Sequence, residues 1–323
     1  MPEALVNIQD LVVSFTTDEG TLRAVDGVSL SIREGEVLGL VGESGCGKSV
    51  TALSVMRLIP SPPGRIESGR ILYRGRDLLQ APIGDIQKIR GASISMIFQE
   101  PMTALSPLHR VGEQLVEALQ LHRAMPWREA WALGADWLKR VGIPDPDERM
   151  YAYPYQLSGG MRQRVMIAMA MMLEPDLIIA DEPTTALDVT VQAQIFELLM
   201  KMKARKTAVL LITHDMGVVW NLCDRVHVMY AARLVEKGSK KDVLENPLHP
   251  YTQGLLKAMP RLYKKSGRLP AIAGQVPSLL ALPQGCRFRE RCPFAFDRCA
   301  QEDPRLVSAG EEREAACFLV GKK

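Results

Sequence analysis

The chain has 323 residues, of which 47% are hydrophobic and 24% are charged, and its formal net charge at pH 7 is +3. This composition suits one large domain with an appendage, or two modest domains, and it argues against a chain dominated by disorder. So small a net charge gives no general electrostatic case for nucleic acid or an anionic membrane as partner, and we expect no nucleic acid to bind.

The first residues, MPEALVNIQD, contain no basic segment followed by an apolar stretch, so they predict no signal peptide. The longest apolar run, VMIAMAMML at 165–173, is shorter than the roughly eighteen residues of a membrane-spanning helix and is typical of a buried helix. We therefore expect a cytosolic protein, in which thiols stay reduced and a disulfide framework does not form.

The hydrophobic pattern alternates between strand-like and helix-like stretches along the chain. Strand patterns cover residues 5–16, 22–41 (with a turn at Glu34-Gly35), 70–78, 177–181, 208–213 and 225–238. Helical patterns cover residues 48–59, 107–142, 161–173 and 190–204. Buried strands that alternate with helices indicate an α/β domain with a largely parallel sheet, interrupted by a helical lobe at 107–172.

The strand pattern that ends at Val41 runs into GESGCGKS, residues 42–49, which agrees fully with the phosphate-loop pattern G-x-x-x-x-G-K-[ST]. Glycines at 42, 45 and 47 allow a tight turn in which consecutive amide N–H groups converge on phosphate oxygens. Lys48 is predicted to neutralise the β- and γ-phosphates, and Ser49 to ligate Mg²⁺. The helix that begins at this loop also favours an anion at its N-terminus.

A second acidic element follows the apolar strand LIIA, which ends in Asp181 and Glu182. A buried strand of this kind would deliver both carboxylates to the edge of the sheet beside the phosphate loop. Asp181 is predicted to hold the Mg²⁺ shell, and Glu182 to orient or deprotonate the attacking water. Alone, such a strand end could be an ordinary helix-capping turn, but the phosphate loop favours the catalytic interpretation.

The segment LSGGMRQR, residues 157–164, decides the class of ATPase. A Ser-Gly-Gly turn at a helix N-terminus is again suited to phosphate oxygens. With this segment the sequence resembles the ATPase family of ABC transporters, whose signature LSGGQ matches residues 157–161 with a methionine in place of the glutamine. The resemblance covers about residues 5–240.

The resemblance assigns roles to residues outside the two phosphate motifs. Gln99, in MIFQEP, falls at the glutamine loop that joins the core to the helical lobe, and Asp188 falls in the D-loop. His214, in LLITHD, matches the switch histidine that contacts the γ-phosphate. Phe15 lies where the family has an aromatic residue that stacks on adenine.

Motifs and resemblance together give one set of expected site residues. The catalytic group is Glu182, His214 and Gln99. ATP and its phosphates are expected at Phe15, Gly42, Ser44, Gly45, Cys46, Gly47, Lys48, Ser49 and Val50. Mg²⁺ is expected at Ser49, Gln99 and Asp181. The signature residues Leu157, Ser158, Gly159, Gly160 and Met161 would act on the ATP of a partner chain, because the family sandwiches two ATP molecules between two subunits.

The implied fold is an α/β P-loop ABC ATPase core with an antiparallel β-subdomain and a helical subdomain, followed by a small irregular C-terminal metal-binding domain. The expected boundaries are residues 1–99 for the first part of the core, 100–172 for the helical subdomain, 173–240 for the second part of the core and 241–323 for the C-terminal extension.

Three stretches point to a subfamily: ENPLHPYTQGLLKAMP at 245–260, FQEPMTALSPLHRVGEQL at 98–115 and DEPTTALDVTVQAQI at 181–195. They are similar to the ATPase subunits of oligopeptide, dipeptide and nickel importers, and most similar to the D-type ATPase of dipeptide importers. The resemblance implies an ATP-hydrolysing motor for uptake of di- or oligopeptides, with nickel or another small solute as the alternative cargo.

The same resemblance implies partners and a location. The chain would pair with a second, related but distinct ATPase subunit and would work on two transmembrane permease subunits supplied by an extracytoplasmic peptide-binding protein. It would sit peripherally on the cytoplasmic face of the bacterial inner membrane. Other classes stay open: a soluble ABC ATPase of translation or DNA repair, an exporter motor, or a redox or metal sensor.

Four of the six cysteines, Cys286, Cys292, Cys299 and Cys317, lie in the last 38 residues. Their spacing contains no C-x₂₋₄-C pair of the kind that zinc ribbons use, whereas iron–sulfur clusters accept more varied spacing. The importer ATPases that this tail resembles include members with a [4Fe–4S] cluster at these cysteines. We expect such a cluster, with Zn²⁺ as the alternative and four reduced, packed thiols as the third possibility.

Overall fold

The computed structural model describes residues 4–100, 104–184, 187–258 and 272–320. The strands are β1 (Ala4–Thr17), β2 (Gly20–Arg33), β3 (Val37–Val41), β4 (Gly64–Tyr73), β5 (Arg76–Asp77), β6 (Ile94–Ile97), β7 (Leu177–Asp181), β8 (Ala208–Ile212), β9 (Arg225–Tyr230), β10 (Arg233–Ser239), β11 (Val307–Gly310) and β12 (Arg313–Ala315). The helices are α1 (Lys48–Val55), α2 (Ile83–Ile89), α3 (Val111–Gln120), α4 (Trp127–Arg140), α5 (Pro146–Arg149), α6 (Gly159–Met171), α7 (Val189–Ala204), α8 (Met216–Leu222), α9 (Lys240–Glu245), α10 (Pro250–Lys257) and α11 (Asp297–Gln301). Single 3₁₀ turns lie at Pro154–Gln156 and Arg289–Arg291.

The larger sheet has eight strands in the order β11-β12-β10-β9-β3-β8-β7-β6. Its centre, from β9 to β6, is parallel, while β10 and β12 pair antiparallel at one side. All five residues of β3, of β7 and of β8 are buried, as expected for strands covered on both faces. The carboxyl ends of β3, β8, β7 and β6 therefore meet at one edge of the sheet, which is where α/β folds bind ligands.

Two hydrophobic cores lie on opposite faces of this sheet. Along β3, Val37 and Val41 belong to one core and Leu38 and Leu40 to the other, in the two-residue alternation of a strand. The first core continues into the helical lobe of α3, α4 and α6. The second continues into a separate antiparallel sheet of order β2-β1-β4-β5.

The helical lobe forms because its helices carry an apolar stripe at helical spacing. In α3 the buried residues Val111, Leu115 and Leu119 recur every four positions and pack toward α4 and α6. The antiparallel sheet and this lobe stand on either side of the parallel centre, so the predicted α/β core with a β-subdomain and a helical subdomain is confirmed as a fold.

The structure differs from the sequence pattern in several elements. α1 ends at Val55 rather than residue 59, because Arg57 takes a left-handed backbone and Leu58 N–H bonds back to the Leu53 carbonyl. The short α2 and β6 were not predicted, since four to seven residues are too few for a clear period. β6 matters because it forms the strand that leads to Gln99.

The described residues from 241 onward, called the C-terminal segment below, pack on the core and join its main sheet. β12 pairs with β10 through Glu236–Ala315 and Lys237–Glu314. Arg287 forms an ion pair with Asp26 of β2 and donates to the Ala231 carbonyl. Residues 259–271, within the segment predicted as the C-terminal extension, lie outside the described residues.

Candidate functional site

The phosphate loop occupies residues 42–47, between the end of β3 and the first residue of α1. Gly42 has φ +156° and Gly47 has φ +104°, and a Cβ at either position would collide with backbone. At Gly42 it would lie 2.3 Å from the Met229 carbonyl oxygen, and at Gly47 it would lie 2.2 Å from the Ala24 carbonyl oxygen. The motif glycines are thus required here because the loop is wedged between β9 and β2.

Lys48 is buried and its ammonium points back across the loop. Nζ donates to the carbonyls of Gly42 at 2.8 Å and Glu43 at 2.9 Å. Cys46 lies under the same ammonium, with Sγ 3.6 Å from Nζ, and burial raises the pKa of its thiol. The loop therefore carries one buried positive charge at the start of a helix, an arrangement suited to a phosphate anion.

Asp181, at the end of β7, is almost fully buried and shares a hydrogen bond with Ser49. Its Oδ1 has no hydrogen-bond partner. Burial raises the pKa of this carboxyl, and the charge of Glu182 adds to the rise, while the Ser49 hydroxyl and Lys48 oppose it. A buried carboxylate oxygen without a partner, beside a hydroxyl at the phosphate loop, fits the oxygen donors that Mg²⁺ prefers.

The three predicted catalytic side chains, Gln99, Glu182 and His214, lie together beside Asp181. Glu182 Oε1 lies 3.1 Å from His214 Nδ1, and Glu182 Oε2 lies 3.5 Å from Gln99 Nε2. These residues follow β7, β8 and β6, three strands that end at the same edge of the sheet. His214 is exposed and Glu182 largely buried, so the carboxylate is held by the protein while the imidazole faces outward.

Glu182 adopts a left-handed backbone with φ +47°, unusual for a residue with a long side chain. Its N–H donates to the Ile212 carbonyl of β8 at 2.9 Å, which fixes the strained turn. Such strain is retained where the surrounding structure imposes it, commonly at functional sites. The turn directs the Glu182 side chain toward His214 and Gln99.

The signature segment begins α6. Leu157 is buried as an anchor, whereas Ser158 and Gly159 are exposed, and Gly160 and Met161 are half-buried. Ser158 Oγ accepts from the Met161 N–H at 3.3 Å and so caps the helix. The exposed helix N-terminus is therefore open to a ligand that another molecule could present.

Gln163 was missed by sequence reasoning. It is fully buried, and its Nε2 donates to the Pro183 carbonyl at 2.8 Å, which ties the signature helix to the residue after Glu182. The signal was present in the sequence: Gln163 shares the buried face of α6 with Met166, Ile167 and Ala170, where a polar side chain requires a partner.

The remaining predicted residues lie around this edge in different settings. Asp188 caps α7 by accepting from the Val191 N–H at 3.0 Å. Phe15 lies in β1, half-buried, between Leu22 of β2 and Gly64 of β4. Ser44 and Gly45 lie in the phosphate loop and Val50 in α1, half-buried against the second core.

Comparison with known proteins defines the class. An ABC transporter family model matches residues 25–185, and a model for the C-terminal region of oligopeptide/dipeptide transporters matches residues 235–299. The chain therefore belongs to the ABC transporter family, in its oligopeptide/dipeptide branch, and the predicted resemblance is confirmed. No helix among the described residues is long and apolar enough to cross a membrane.

Relatives match over nearly the whole chain. The dipeptide transport ATP-binding protein DppD of Bacillus subtilis is 50% identical, with 99% of this chain and 96% of that protein covered. The oligopeptide transport ATP-binding protein OppD of Escherichia coli is 50% identical, with 98% and 93% covered. Among solved structures, the dimeric ATP-binding cassette MJ0796 bound to ADP and Pi is 27% identical with a TM-score of 0.66, covering 73% of this chain and 98% of that one.

The predicted iron–sulfur cluster is wrong, and neither it nor the zinc alternative is supported. Cys286, Cys292, Cys299 and Cys317 line one small cavity with Phe288 and other apolar groups. Within residues 4–100, 104–184, 187–258 and 272–320, no three or more Cys, His, Asp or Glu side chains are arranged to hold a metal ion.

Burial favours the protonated form of three of these four thiols. It raises the pKa of Cys286 to about 11 and also raises the pKa of Cys292 and Cys317, so these thiols are protonated at neutral pH. The relatives are named as ATP-binding proteins of peptide transport, not as iron–sulfur proteins. The predicted C-terminal metal-binding domain is therefore not supported.

Proposed function

We propose that this chain is the ATP-hydrolysing motor subunit of an ABC importer that takes up di- or oligopeptides. The observation that carries the catalytic part is the meeting of Gln99, Glu182 and His214 at the sheet edge where the phosphate loop also begins. The peptide cargo rests on relatives that are named as dipeptide and oligopeptide transport proteins.

In the proposed reaction the phosphate loop binds ATP. Amide N–H groups of residues 42–49, including those of Ser44, Gly45, Cys46 and Val50, surround the phosphates, and Lys48 exchanges its carbonyl partners for phosphate oxygens. Phe15 stacks on the adenine. Asp181, Ser49 and Gln99 would hold Mg²⁺, which when bound neutralises phosphate charge.

Hydrolysis follows from the geometry around Glu182. Its carboxylate accepts a proton from, or orients, the water that attacks the γ-phosphorus. His214, which shares a hydrogen bond with that carboxylate, contacts the γ-phosphate and keeps Glu182 directed at the water. ADP and phosphate are the products, with the β–γ bridging oxygen leaving on ADP.

The second half of the site comes from another chain in this proposal. The exposed N-terminus of α6, with Ser158 at its cap and Gly159 and Gly160 in its first turn, would contact the γ-phosphate of ATP bound to a related but distinct partner ATPase. Asp188 would lie at the same junction. Closure of the two chains on ATP, and reopening after hydrolysis, would drive the membrane subunits.

The proposed partners are two permease subunits and an extracytoplasmic peptide-binding protein, with this chain at the cytoplasmic face of the inner membrane. For this role we assign residues 1–99 and 173–240 to the ATPase core, 100–172 to the helical subdomain that contacts the permeases, and 241–323 to the C-terminal extension.

The test is reconstitution of the whole importer in liposomes. Peptide-loaded binding protein is expected to raise ATP hydrolysis several-fold and to drive labelled dipeptide into the lumen, and Lys48→Ala in this chain should remove both effects. Hydrolysis that ignores peptide, binding protein and permeases would overturn the importer assignment.

A further inference from the structure

Two residues of the C-terminal segment, Arg291 and Tyr251, hold the phosphate loop at Glu43. Both terminal nitrogens of Arg291 donate to the Glu43 carboxylate, Nη1 to Oε2 at 2.6 Å and Nη2 to Oε1 at 2.9 Å. This two-point geometry fixes the orientation of the carboxylate as well as its distance. Arg291 therefore binds the second residue of the loop from 248 positions further along the sequence.

Arg291 is itself immobilised. Its side chain is only 4% exposed, and Nε donates to the Ala273 carbonyl at 3.0 Å. The guanidinium lies 5.8 Å from the Tyr230 ring centroid and 5.9 Å from that of Phe288. With Nε also bonded and its guanidinium placed over two aromatic rings, Arg291 offers Glu43 a fixed partner rather than a mobile surface charge.

Tyr251 of α10 holds the backbone of the same residue. Its hydroxyl accepts from the Glu43 N–H at 2.8 Å, and its ring is fully buried against Tyr230 at 4.6 Å between centroids. The Glu43 carbonyl in turn accepts from Lys48 Nζ at 2.9 Å. The N–H, carboxylate and carbonyl of Glu43 are thus all bound, two of them by the C-terminal segment.

These contacts matter for the nucleotide because a loop already held in one shape loses less conformational entropy when it binds a ligand. Glu43 lies between Gly42, wedged against β9, and the residues that run to Lys48. We propose that Arg291 and Tyr251 are positioning residues for ATP binding, which keep the phosphate loop in its receptive shape through Glu43. The inference rests on the proposed function in that ATP binds at residues 42–49.

The competing explanation is that these contacts only dock the segment on the core. Arg287 provides a matched control, because it lies four residues away, is also largely buried and pairs with Asp26 of β2 instead of the loop. Losing either arginine removes one buried ion pair between the same segment and the core. Of the two arginines, only Arg291 contacts the phosphate loop directly.

The experiment compares R291Q, R287Q and Y251F in the full-length chain. Calorimetric titration with ATP and Mg²⁺ gives the dissociation constant, and thermal unfolding without nucleotide gives stability. R291Q is expected to weaken ATP binding about tenfold, equal to about 1.4 kcal/mol, and Y251F by a smaller factor. R287Q is expected to lower the melting temperature as R291Q does while leaving the dissociation constant within about twofold of wild type.

The reconstituted importer supplies a second readout. R291Q should raise the KM for ATP about tenfold and leave kcat within about twofold, because Arg291 touches none of the reacting atoms. The E43Q/R291Q double variant should bind ATP no more weakly than R291Q alone, since both substitutions remove the same contact. Should R291Q not fold, E43Q and Y251F test the proposal from the loop side and the backbone side.

The possible failures are distinguishable. The positioning role is overturned if R291Q and Y251F bind ATP as tightly as wild type, or if R291Q and R287Q lose ATP affinity by the same factor. Neither result would contradict ATP binding at the phosphate loop. Wild-type protein that binds no ATP, or binds it as well after Lys48→Ala, overturns the proposed function and this inference together.

Discussion

His214 Nδ1 lies 3.1 Å from Glu182 Oε1, and this contact joins the ends of two parallel strands, β8 and β7. The His214 side chain is 70% exposed and that of Glu182 is 16% exposed. The exposed imidazole can therefore respond to a nucleotide, while the carboxylate stays fixed by its strained turn. In the proposed reaction this pair would connect recognition of the γ-phosphate with activation of water.

Replacing Glu182 with Gln is expected to lower ATP hydrolysis at least ~100-fold, because the amide cannot accept the proton of the attacking water. ATP affinity should stay within about threefold of wild type, since the phosphate loop is unchanged. Turnover in the reconstituted importer and ATP titration of the same protein give the two values. Glu174→Gln, which alters only an exposed ion pair with Arg205, serves as control and should retain full turnover. Equal turnover in E182Q and E174Q would contradict the role of Glu182.

Replacing Asp181 with Asn should weaken the dependence of ATP binding on Mg²⁺, because Asp181 is the one carboxylate among the three proposed Mg²⁺ ligands. The same change should stabilise the nucleotide-free chain by on the order of 1 kcal/mol, since it removes a buried charge with an unpartnered oxygen. ATP titrations with Mg²⁺ and with EDTA test the first effect, and chemical unfolding tests the second. Asp136→Asn, at an exposed helical ion pair, should change neither.

The stability effect of Asp181 has a defined pH dependence. The pKa of this carboxyl is raised in the folded state, mainly by burial, so its charge destabilises the fold at pH values above that raised pKa. The advantage of D181N over wild type should therefore shrink as the pH falls through the raised pKa, where wild type becomes neutral. An advantage that grows on acidification would contradict a pKa raised by burial.

Most of the site could be predicted from sequence because its residues lie in short, ordered motifs at strand ends. Lys48, Asp181 and His214 each follow an apolar strand, and parallel strands bring such ends to one edge of a sheet. Gln163 and Arg291 were not predicted as site residues, since their partners are backbone or side chains far away in sequence. Local periodicity marks Gln163 as a polar residue on a buried helix face, but it does not identify the partner of Gln163 or of Arg291.

The cysteine prediction failed for a related reason. Spacing in sequence says which thiols are available, but it does not say whether folding arranges them to hold a metal ion, and no such arrangement occurs among the described residues. Here the thiols face Phe288 and other apolar groups, and burial raises the pKa of Cys286 to about 11. Spacing also could not show what the neighbouring arginines contact. Arg287 and Arg291 are largely buried and form ion pairs with residues of the core.

Replacing Gln163 with Met should lower ATP hydrolysis about tenfold while ATP affinity stays within about twofold. The substitution leaves the Pro183 carbonyl unpaired and releases the residue after Glu182 from the signature helix, at a stability cost of about 1–3 kcal/mol. Gln114→Met is a matched control, because Gln114 is also buried and donates only to carbonyls of the helical lobe, at Ser106 and His109. Both variants should be destabilised to a similar extent, but only Q163M should lose turnover. Equal turnover in Q163M and Q114M would show that the hydrogen bond from Gln163 to Pro183 is not needed for hydrolysis.

Replacing Asp26 with Asn should loosen the C-terminal segment in a pH-dependent way. Burial alone would raise the pKa of Asp26, but Arg287 and Arg233 outweigh it and lower the pKa, with Arg23 and Asp303 also nearby. A lowered carboxyl pKa contributes stability above its unfolded-state value of 3.8 and loses it as the pH falls through the folded-state pKa. D26N should therefore be less stable than wild type by about 3 kcal/mol at neutral pH.

That difference in the free energy of unfolding should shrink as the pH falls below about 4, by at most about 1.4 kcal/mol per pH unit, because wild-type Asp26 then becomes protonated. Urea unfolding of both proteins from pH 7 to pH 3 measures this difference. Asp303, which also pairs with Arg233, is present in both proteins. Asp85→Asn removes an exposed carboxylate whose pKa is lowered by Arg76, and it should leave stability nearly unchanged across the same range. If D26N lost no more stability than D85N at pH 7, the arginines of the C-terminal segment would not be fastened to the core through Asp26, and Arg287 would lose its value as the matched control for Arg291.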